Sequence, residues 1–306
     1  SGMNTVVGCS ILEFPTGYAQ DAAGYLQLAE DAINEYRGQA GIGFTLAPHA
    51  PYTVADDTFR KVAAMAADKG VRIHCHIHET NDEVQGSISQ YGKRPLARLA
   101  ELGLLSEQLI AAHMVHTTDE DIALLAKHGV HIAHNPASNL KLASGFARVH
   151  AMQQAGINIG IGTDGAASNN KLDMMADTRL AAILAKAQSS DPTAVNAHTA
   201  LRMATLDGAK ALGLADRTGS LTVGKQADVI AIDLSAIETQ PVFDPVSHVI
   251  YAAGREQVSH VWVRGKALLV NRELQTLDQQ ALLAKARWWQ RSEEHTSELQ
   301  SQSTIS

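Results

Sequence analysis

The sequence is poor in the residues that would define several protein classes. Of its 306 residues only two are cysteine, Cys9 and Cys75. That is too few for a disulfide framework or a four-cysteine zinc ribbon, so a reducing compartment, the cytoplasm, is expected. Basic residues are outnumbered, 25 Lys and Arg against 32 Asp and Glu, giving a formal net charge of −7. A nucleic-acid binder would need a basic surface. The longest apolar stretches, such as Ile157 to Ile161 and Val229 to Ile232, fall far short of the roughly 20 residues that cross a bilayer as a helix, so no membrane partner is expected.

What is present is an ordinary globular balance, 45% hydrophobic and 19% charged, enough for a large core. From residue 5 to about 190, short β-branched runs alternate with longer helical periods, the signature of βα units and a parallel sheet. The expected strands are 5–14, 42–47, 71–77, 109–114, 130–134 and 157–162. Between them Phe59, Val62, Ala63 and Ala66 repeat at helical spacing, as do Ile122, Leu125 and Ala126. Gly70, Gly129 and Gly156 each stand just before Val or Ile, where a left-handed cap ends a helix and leads into a strand. Thr117 to Asp121 offers a capping box.

Six such units fit a doubly wound sheet or a (β/α)8 barrel lacking two strands. No strand is read as running into a glycine-rich phosphate loop, which weakens the dinucleotide alternative. The polar residues favour the barrel, because they fall at the C-terminal ends of different strands: His49, His76, Glu79, His113, His134 and Asp164. A barrel gathers those ends into one mouth. After Leu206 the character changes to turns and short strands at 229–232, 246–251, 258–263 and 267–270, the last two joined at Arg264-Gly265-Lys266. The expected organisation is a barrel over 1–206 and a helix with part of a small β-sandwich over 207–290.

Nine of the fourteen histidines lie between His49 and His134. Strand alternation puts His74, His76 and His78 on one face, with Ile73, Cys75 and Ile77 on the other. A single such histidine is more often a hydrogen-bonded core residue. Several together with Glu79 point instead to a metal or proton-transfer centre, since unpaired imidazoles in a dry interior are costly. A His-x-x-Glu at a strand end can give a metal one imidazole and leave the carboxylate free to carry protons. Asp164 taken alone could equally be a turn or helix cap, and His113 and His134 could be satisfied buried histidines. Asn139 and Lys141 are candidates to line the pocket, which spacing alone does not show. Trp288-Trp289 is expected to pack a terminal helix on the β unit, and His198 and His248 are read as structural.

The segments His49-Ala-Pro-Tyr52, His76-Ile-His-Glu-Thr80, Ala111-Ala-His113, His134-Asn-Pro-Ala-Ser-Asn-Leu-Lys-Leu-Ala-Ser-Gly145 and Gly162-Thr-Asp-Gly-Ala-Ala-Ser-Asn-Asn170 together resemble the amidohydrolase superfamily. Within it they most resemble the 5-methylthioadenosine/S-adenosylhomocysteine deaminases and their chlorohydrolase relatives. The run Gly219-Ser-Leu-Thr-Val-Gly-Lys-Gln-Ala-Asp228 is similar to the β-sandwich of that superfamily, so the likeness covers roughly residues 1–290. It implies His76 and Asp164 as metal ligands, Glu79 as proton shuttle, His113 beside the attacking water, and His49, Glu79 and Asp164 in contact with a small nucleoside. It implies one zinc per subunit, with iron or manganese as substitutes. The implied reaction is hydrolytic deamination of an adenosine-type purine to the inosine product and ammonia, with metal-bound hydroxide as nucleophile. A guanine aminohydrolase, a chlorohydrolase and a non-catalytic barrel remain as alternatives. The cytidine-deaminase type of zinc site is excluded by the lack of a PCxxC motif.

The superfamily draws two further ligands from a His-x-His on its first barrel strand, and no strand precedes residue 5. His74-Cys75-His76 matches the fifth strand by context. The chain is therefore expected to begin mid-fold, to stand open at the edges of the strands at 5–14 and 157–162, to self-associate there, and to be inactive by itself. The polar stretch from Arg291 follows abruptly on Leu282 to Trp289 and resembles translated sequencing-adapter DNA. Residues 291–306 are expected to be a non-native tail.

Overall fold

Each of the six apolar runs between residues 5 and 162 becomes a strand. In the computed structural model, which describes residues 1–303 and the side chains of 1–291, they are β1 (Thr5–Ile11), β2 (Ile42–Pro48), β3 (Arg72–Ile77), β4 (Leu109–His113), β5 (His131–His134) and β6 (Ile159–Ile161). They pair in parallel and in chain order. An order without reversal is that of a barrel wall; a doubly wound sheet reverses at a switch point. Among the described residues β1 and β6 have no strand on their outer edges, so the wall is open.

The helices between strands end as the glycines require. Asp56–Lys69 stops at Gly70 (φ 66°) and Asp119–His128 at Gly129 (φ 66°), while Thr118 and Asp121 close a capping box. Each left-handed cap turns the chain directly into the next strand. Phe59, Val62 and Ala66 from one helix face bury against Leu46, Ile73, Cys75 and Ile77, forming the core between the sheet and its outer helices. On β3 those buried residues alternate with half-buried His74 and His76, so the imidazoles face inward.

A second, antiparallel sheet contains β7 (Val229–Ile232), β8 (Val258–Val263), β9 (Lys266–Val270) and β10 (Glu273–Leu274) in the order β10-β9-β8-β7. Arg264 (φ 51°) and Gly265 (φ 76°) make its two-residue turn, with both central residues left-handed as a tight hairpin demands. Asp228 joins this sheet to the start of the chain. Its carboxylate accepts from Asn4 Nδ2 (3.0 Å), Thr218 Oγ1 (2.8 Å) and the Arg264 N–H (2.7 Å). No helix among the described residues is long and apolar enough to cross a membrane.

Several expectations need correction. Residues 246–251 lie in a helix, Pro245–Tyr251, not a strand. Asp244 accepts from the N–H groups of Val246 and Ser247 and Pro245 sits in the first turn, a start signal that outweighs the β-branched run. The helix Gln279–Ser303 buries none of its described side chains, and Trp288 and Trp289 stay 54% and 52% exposed with their rings 5.0 Å apart. The glycines at 160, 162 and 165 do spell GxGxxG. They begin inside β6 and lead to a helix of only four residues, Ala166–Asn169, too short to present an anion-binding N-terminus. A GxxxxGK string at 219–225 precedes β7 and follows no strand. The expected tail, 291–306, lies apart from Arg291 outside the residues whose side chains are described.

Two outcomes follow from this packing. Phe59→Ala empties a fully buried site between helix and sheet and is expected to cost about 3–5 kcal/mol in urea denaturation. His131 and His134 on β5 are both buried. Burial, with Arg72 and Lys210 beside His131 and His113 beside His134, lowers each from 6.5 to about 4. Both stay neutral in the folded chain while the unfolded chain takes up protons below pH 6.5, so stability present above that pH is lost as pH falls towards 4. Each histidine adds at most about 1.4 kcal/mol per pH unit to that slope, and His134→Leu is expected to make it shallower in denaturation curves between pH 7 and 4.5.

Candidate active site

A parallel sheet ends all its strands on one edge, and three of the chain's non-glycine left-handed residues lie there: His78 (φ 54°), His113 (φ 73°) and Asp164 (φ 61°). Such backbone costs about 1–3 kcal/mol per residue and persists only where the surroundings over-determine it. Its effect here is to break strand alternation. Position 113 pairs with Ile77 and would share its outward face, yet the His113 ring stands 5.4 Å from that of inward-facing His76. His78 moves the opposite way. It leaves the face of His74 and His76, is fully buried, and its Nε2 accepts from the Leu96 N–H (3.1 Å). The three-histidine face expected on β3 therefore holds two.

The remaining groups converge. His49 and His76 rings are 5.0 Å apart. His113 Nε2 lies 3.8 Å from Glu79 Oε2 and 4.0 Å from Asp164 Oδ2, so one imidazole, itself 1% exposed, faces two carboxylates. All five site residues expected from the sequence thus share one mouth.

Hydrogen bonds set which nitrogen of each ring is engaged. His76 Nδ1–H donates to the His49 carbonyl (2.6 Å), leaving the Nε2 lone pair as a donor to a ligand. His113 Nδ1–H donates to Asn139 Oδ1 (2.8 Å), so its Nε2 is free to accept. His49 Nδ1 pairs with Thr53 Oγ1 (2.8 Å). Burial, reinforced by nearby His76 and opposed by Glu79, lowers the His49 pKa and favours the neutral ring. Asp164 Oδ2 accepts from Ser138 Oγ (2.6 Å) and Oδ1 from the Gly165 N–H (2.7 Å). Burial opposes its ionisation, but these donors with His113 and His76 prevail and hold the carboxyl below its ordinary value.

Behind Glu79 a second carboxylate is built into the turn. Glu83 Oε1 accepts from the His78 N–H (2.9 Å) and Oε2 from the Glu79 N–H (2.7 Å). Ser138, Thr53 and Glu83 are not singled out by sequence reasoning, which names Asn139 as a candidate pocket residue without placing it. Thr80-x-x-Glu83 does spell a capping box, the one signal that could have drawn attention to Glu83. Nothing in periodicity marks Asn139, whose burial depends on the short helix Pro136–Lys141 packing under the mouth. Lys141 points elsewhere, donating to the Ala167 carbonyl (2.6 Å). His134 is buried, and among the described residues neither ring nitrogen has a hydrogen-bond partner.

The donors suit a metal only in part. His76 Nε2 and the Asp164 carboxylate are the nitrogen and oxygen types that zinc takes. Among the described residues, however, no group of three or more His, Cys, Asp or Glu is arranged to hold a metal ion, and catalytic zinc takes three protein ligands.

The Amidohydrolase family model matches residues 7–268. The 5-methylthioadenosine/S-adenosylhomocysteine deaminase of Teredinibacter turnerae is 45% identical over 289 residues, 94% of this chain and 65% of that protein. The protein of that name from Moorella thermoacetica is 48% identical over 248 residues, 81% of this chain and 58% of its own length. Among solved structures, an adenosine deaminase from Xanthomonas campestris with bound zinc superposes with a TM-score of 0.94 at 51% identity, covering 95% of this chain and 66% of that one. An atrazine chlorohydrolase from Arthrobacter aurescens complexed with zinc gives 0.85 at 29% identity, covering 93% and 65%. The chain thus spans just under two thirds of the relatives it matches. A match of this extent, on a sheet of this order, makes the chain a member of the amidohydrolase family.

Proposed function

We propose that this chain carries the proton-transfer and substrate-facing side of a hydrolytic deaminase acting on adenosine-type purines, 5′-methylthioadenosine and S-adenosylhomocysteine. The observation that carries the reading is the pair of carboxylates, Glu79 and Asp164, within 4.0 Å of His113 Nε2. Deamination needs a base toward water and an acid toward the ring nitrogen on opposite sides of one carbon. Asp164, held ionised by Ser138 and Gly165, takes the proton of the attacking water. His113, its Nδ1 proton engaged by Asn139, turns its Nε2 lone pair to that water and orients it. Glu79 delivers a proton to the ring nitrogen beside the amine-bearing carbon as the carbon–oxygen bond forms. The proton held by Asp164 then passes to the amine, the carbon–nitrogen bond breaks as the hydroxyl proton returns to Glu79 and the carbonyl forms, and ammonia leaves with the hypoxanthine product. Neutral His49, at the rim beside Tyr52 (5.9 Å), contacts the purine.

Zinc, one per subunit, is the proposed cofactor, with His76 and Asp164 as this chain's contribution. Two donors do not complete a site, so no step is assigned to the metal. Free, buried Cys9 and Cys75 support a reducing, cytoplasmic setting. The open edges of β1 and β6 support self-association.

The test compares the chain alone with the chain joined to the part of the Xanthomonas campestris relative that it does not cover, each supplied with zinc. Ammonia release is measured from methylthioadenosine, adenosylhomocysteine and guanine, and chloride release from a chlorinated triazine. The joined protein is expected to release ammonia from the two adenosine compounds and the chain alone almost none. No ammonia from either compound, or chloride release alone, overturns the reading. In the joined protein Glu79→Gln is expected to lower kcat by about 10²- to 10⁴-fold, the usual worth of a positioned proton donor, as read from steady-state ammonia release.

A further inference from the structure

We infer that Glu83 is a positioning residue: its carboxylate clamps the turn that aims Glu79 into the mouth. The consequence for catalysis rests on the role proposed for Glu79, whereas the clamp itself is a matter of geometry.

A glutamate three residues after a threonine N-cap normally returns its carboxylate to the N–H of the cap itself. Thr80 is such a cap and accepts from the Glu83 N–H (3.1 Å). The Glu83 side chain is also within the influence of the Thr80 N–H and reaches further back, one oxygen accepting from the His78 N–H and the other from the Glu79 N–H. Those two amides belong to the left-handed turn between β3 and the helix Asn81–Tyr91. Their usual partner would be the next residues of a strand, and β3 has ended. Glu83 is 6% exposed, so water is a poor substitute for either bond.

The rest of the turn is held from the other side. The His78 carbonyl accepts from the N–H groups of Val115 and His116 (both 3.0 Å), and the Ile77 carbonyl accepts from the Met114 N–H (3.1 Å). These donors follow directly on His113. The His78 peptide therefore ties the exit of β3 to the exit of β4, and Glu83 ties Glu79 to that same peptide. With both ties in place Glu79 Oε2 stands 3.8 Å from His113 Nε2. Glu83 is not on the reacting side, because both of its oxygens are occupied by backbone.

The experiment reads amide hydrogen exchange, residue by residue, in the full chain and in Glu83→Ala and Glu83→Gln. In Glu83→Ala the His78 and Glu79 amides are expected to exchange faster by on the order of 10-fold or more, with Ile110 and Ala111 of β4 unchanged. Glu83→Gln keeps the shape but only one acceptor oxygen, and is expected to protect one of the two amides. Unchanged exchange at both amides in Glu83→Ala overturns the clamp. So does an equal rise at Ile110 and Ala111 in both variants, which would make Glu83 a general support of the sheet. In the joined protein, Glu83→Ala is expected to lower kcat about 10²-fold, the cost of misplacing a reacting group by about 1 Å, with KM held within about two-fold. A change confined to KM counts against it. If the unsubstituted joined protein releases no ammonia, the proposed reaction fails while the exchange measurement still decides the clamp.

Discussion

The site depends on one constraint: at the edge where the parallel strands end, the two-residue alternation of side chains must be broken. Alternation serves the core well, since it sends Ile73, Cys75 and Ile77 to the helices and His74 and His76 inward. Continued one residue further, it would leave His113 among the apolar residues and His78 in the mouth. Left-handed backbone at His78, His113 and Asp164 reverses this. The strain is offset locally by bonds that have no role in regular structure: a buried carboxylate on two successive amides, and one carbonyl accepting two N–H groups from the neighbouring strand exit.

The same edge sorts the ionisable groups by environment. His134, enclosed by β5 and its neighbours, stays neutral because burial disfavours its cation. Asp164 is partly buried too, yet it is stabilised as an anion because a hydroxyl and a backbone N–H aim at its oxygens. Glu79 and His113 meet beside them, His113 Nε2 lying 3.8 Å from Glu79 Oε2. The arrangement brings two carboxylates within 4.0 Å of one imidazole. Two donors of metal-binding type, His76 and Asp164, stand on an open, six-stranded wall, and no group of three among the described residues is arranged to hold a metal ion. This agrees with a chain that spans 65% of its curated relative from Teredinibacter turnerae.

Much of this was legible from residue order. Glycines at 70 and 129 marked helix ends, and β-branched runs marked strands to within a few residues. The motifs around His49, His76, Glu79, His113 and Asp164 carried the family. The failures have physical reasons. Val246, Val249 and Ile250 suit a strand or a helix, and the Asp244-Pro245 start decides between them. Trp288 and Trp289 are apolar enough to be buried, but burial needs a surface to pack on, which a one-dimensional pattern does not contain.

What the sequence by itself determined is the set of reactive groups and the edge they occupy, because a parallel βα repeat necessarily places every strand exit on the same side. Only the tertiary structure decided which of those groups meet. His78 and His113 are both histidines at strand exits, and their opposite fates turn on backbone angles held by Glu83, Val115 and His116. Those partners come from other elements of the chain, and their hydrogen bonds exist only once the strands and helices have packed.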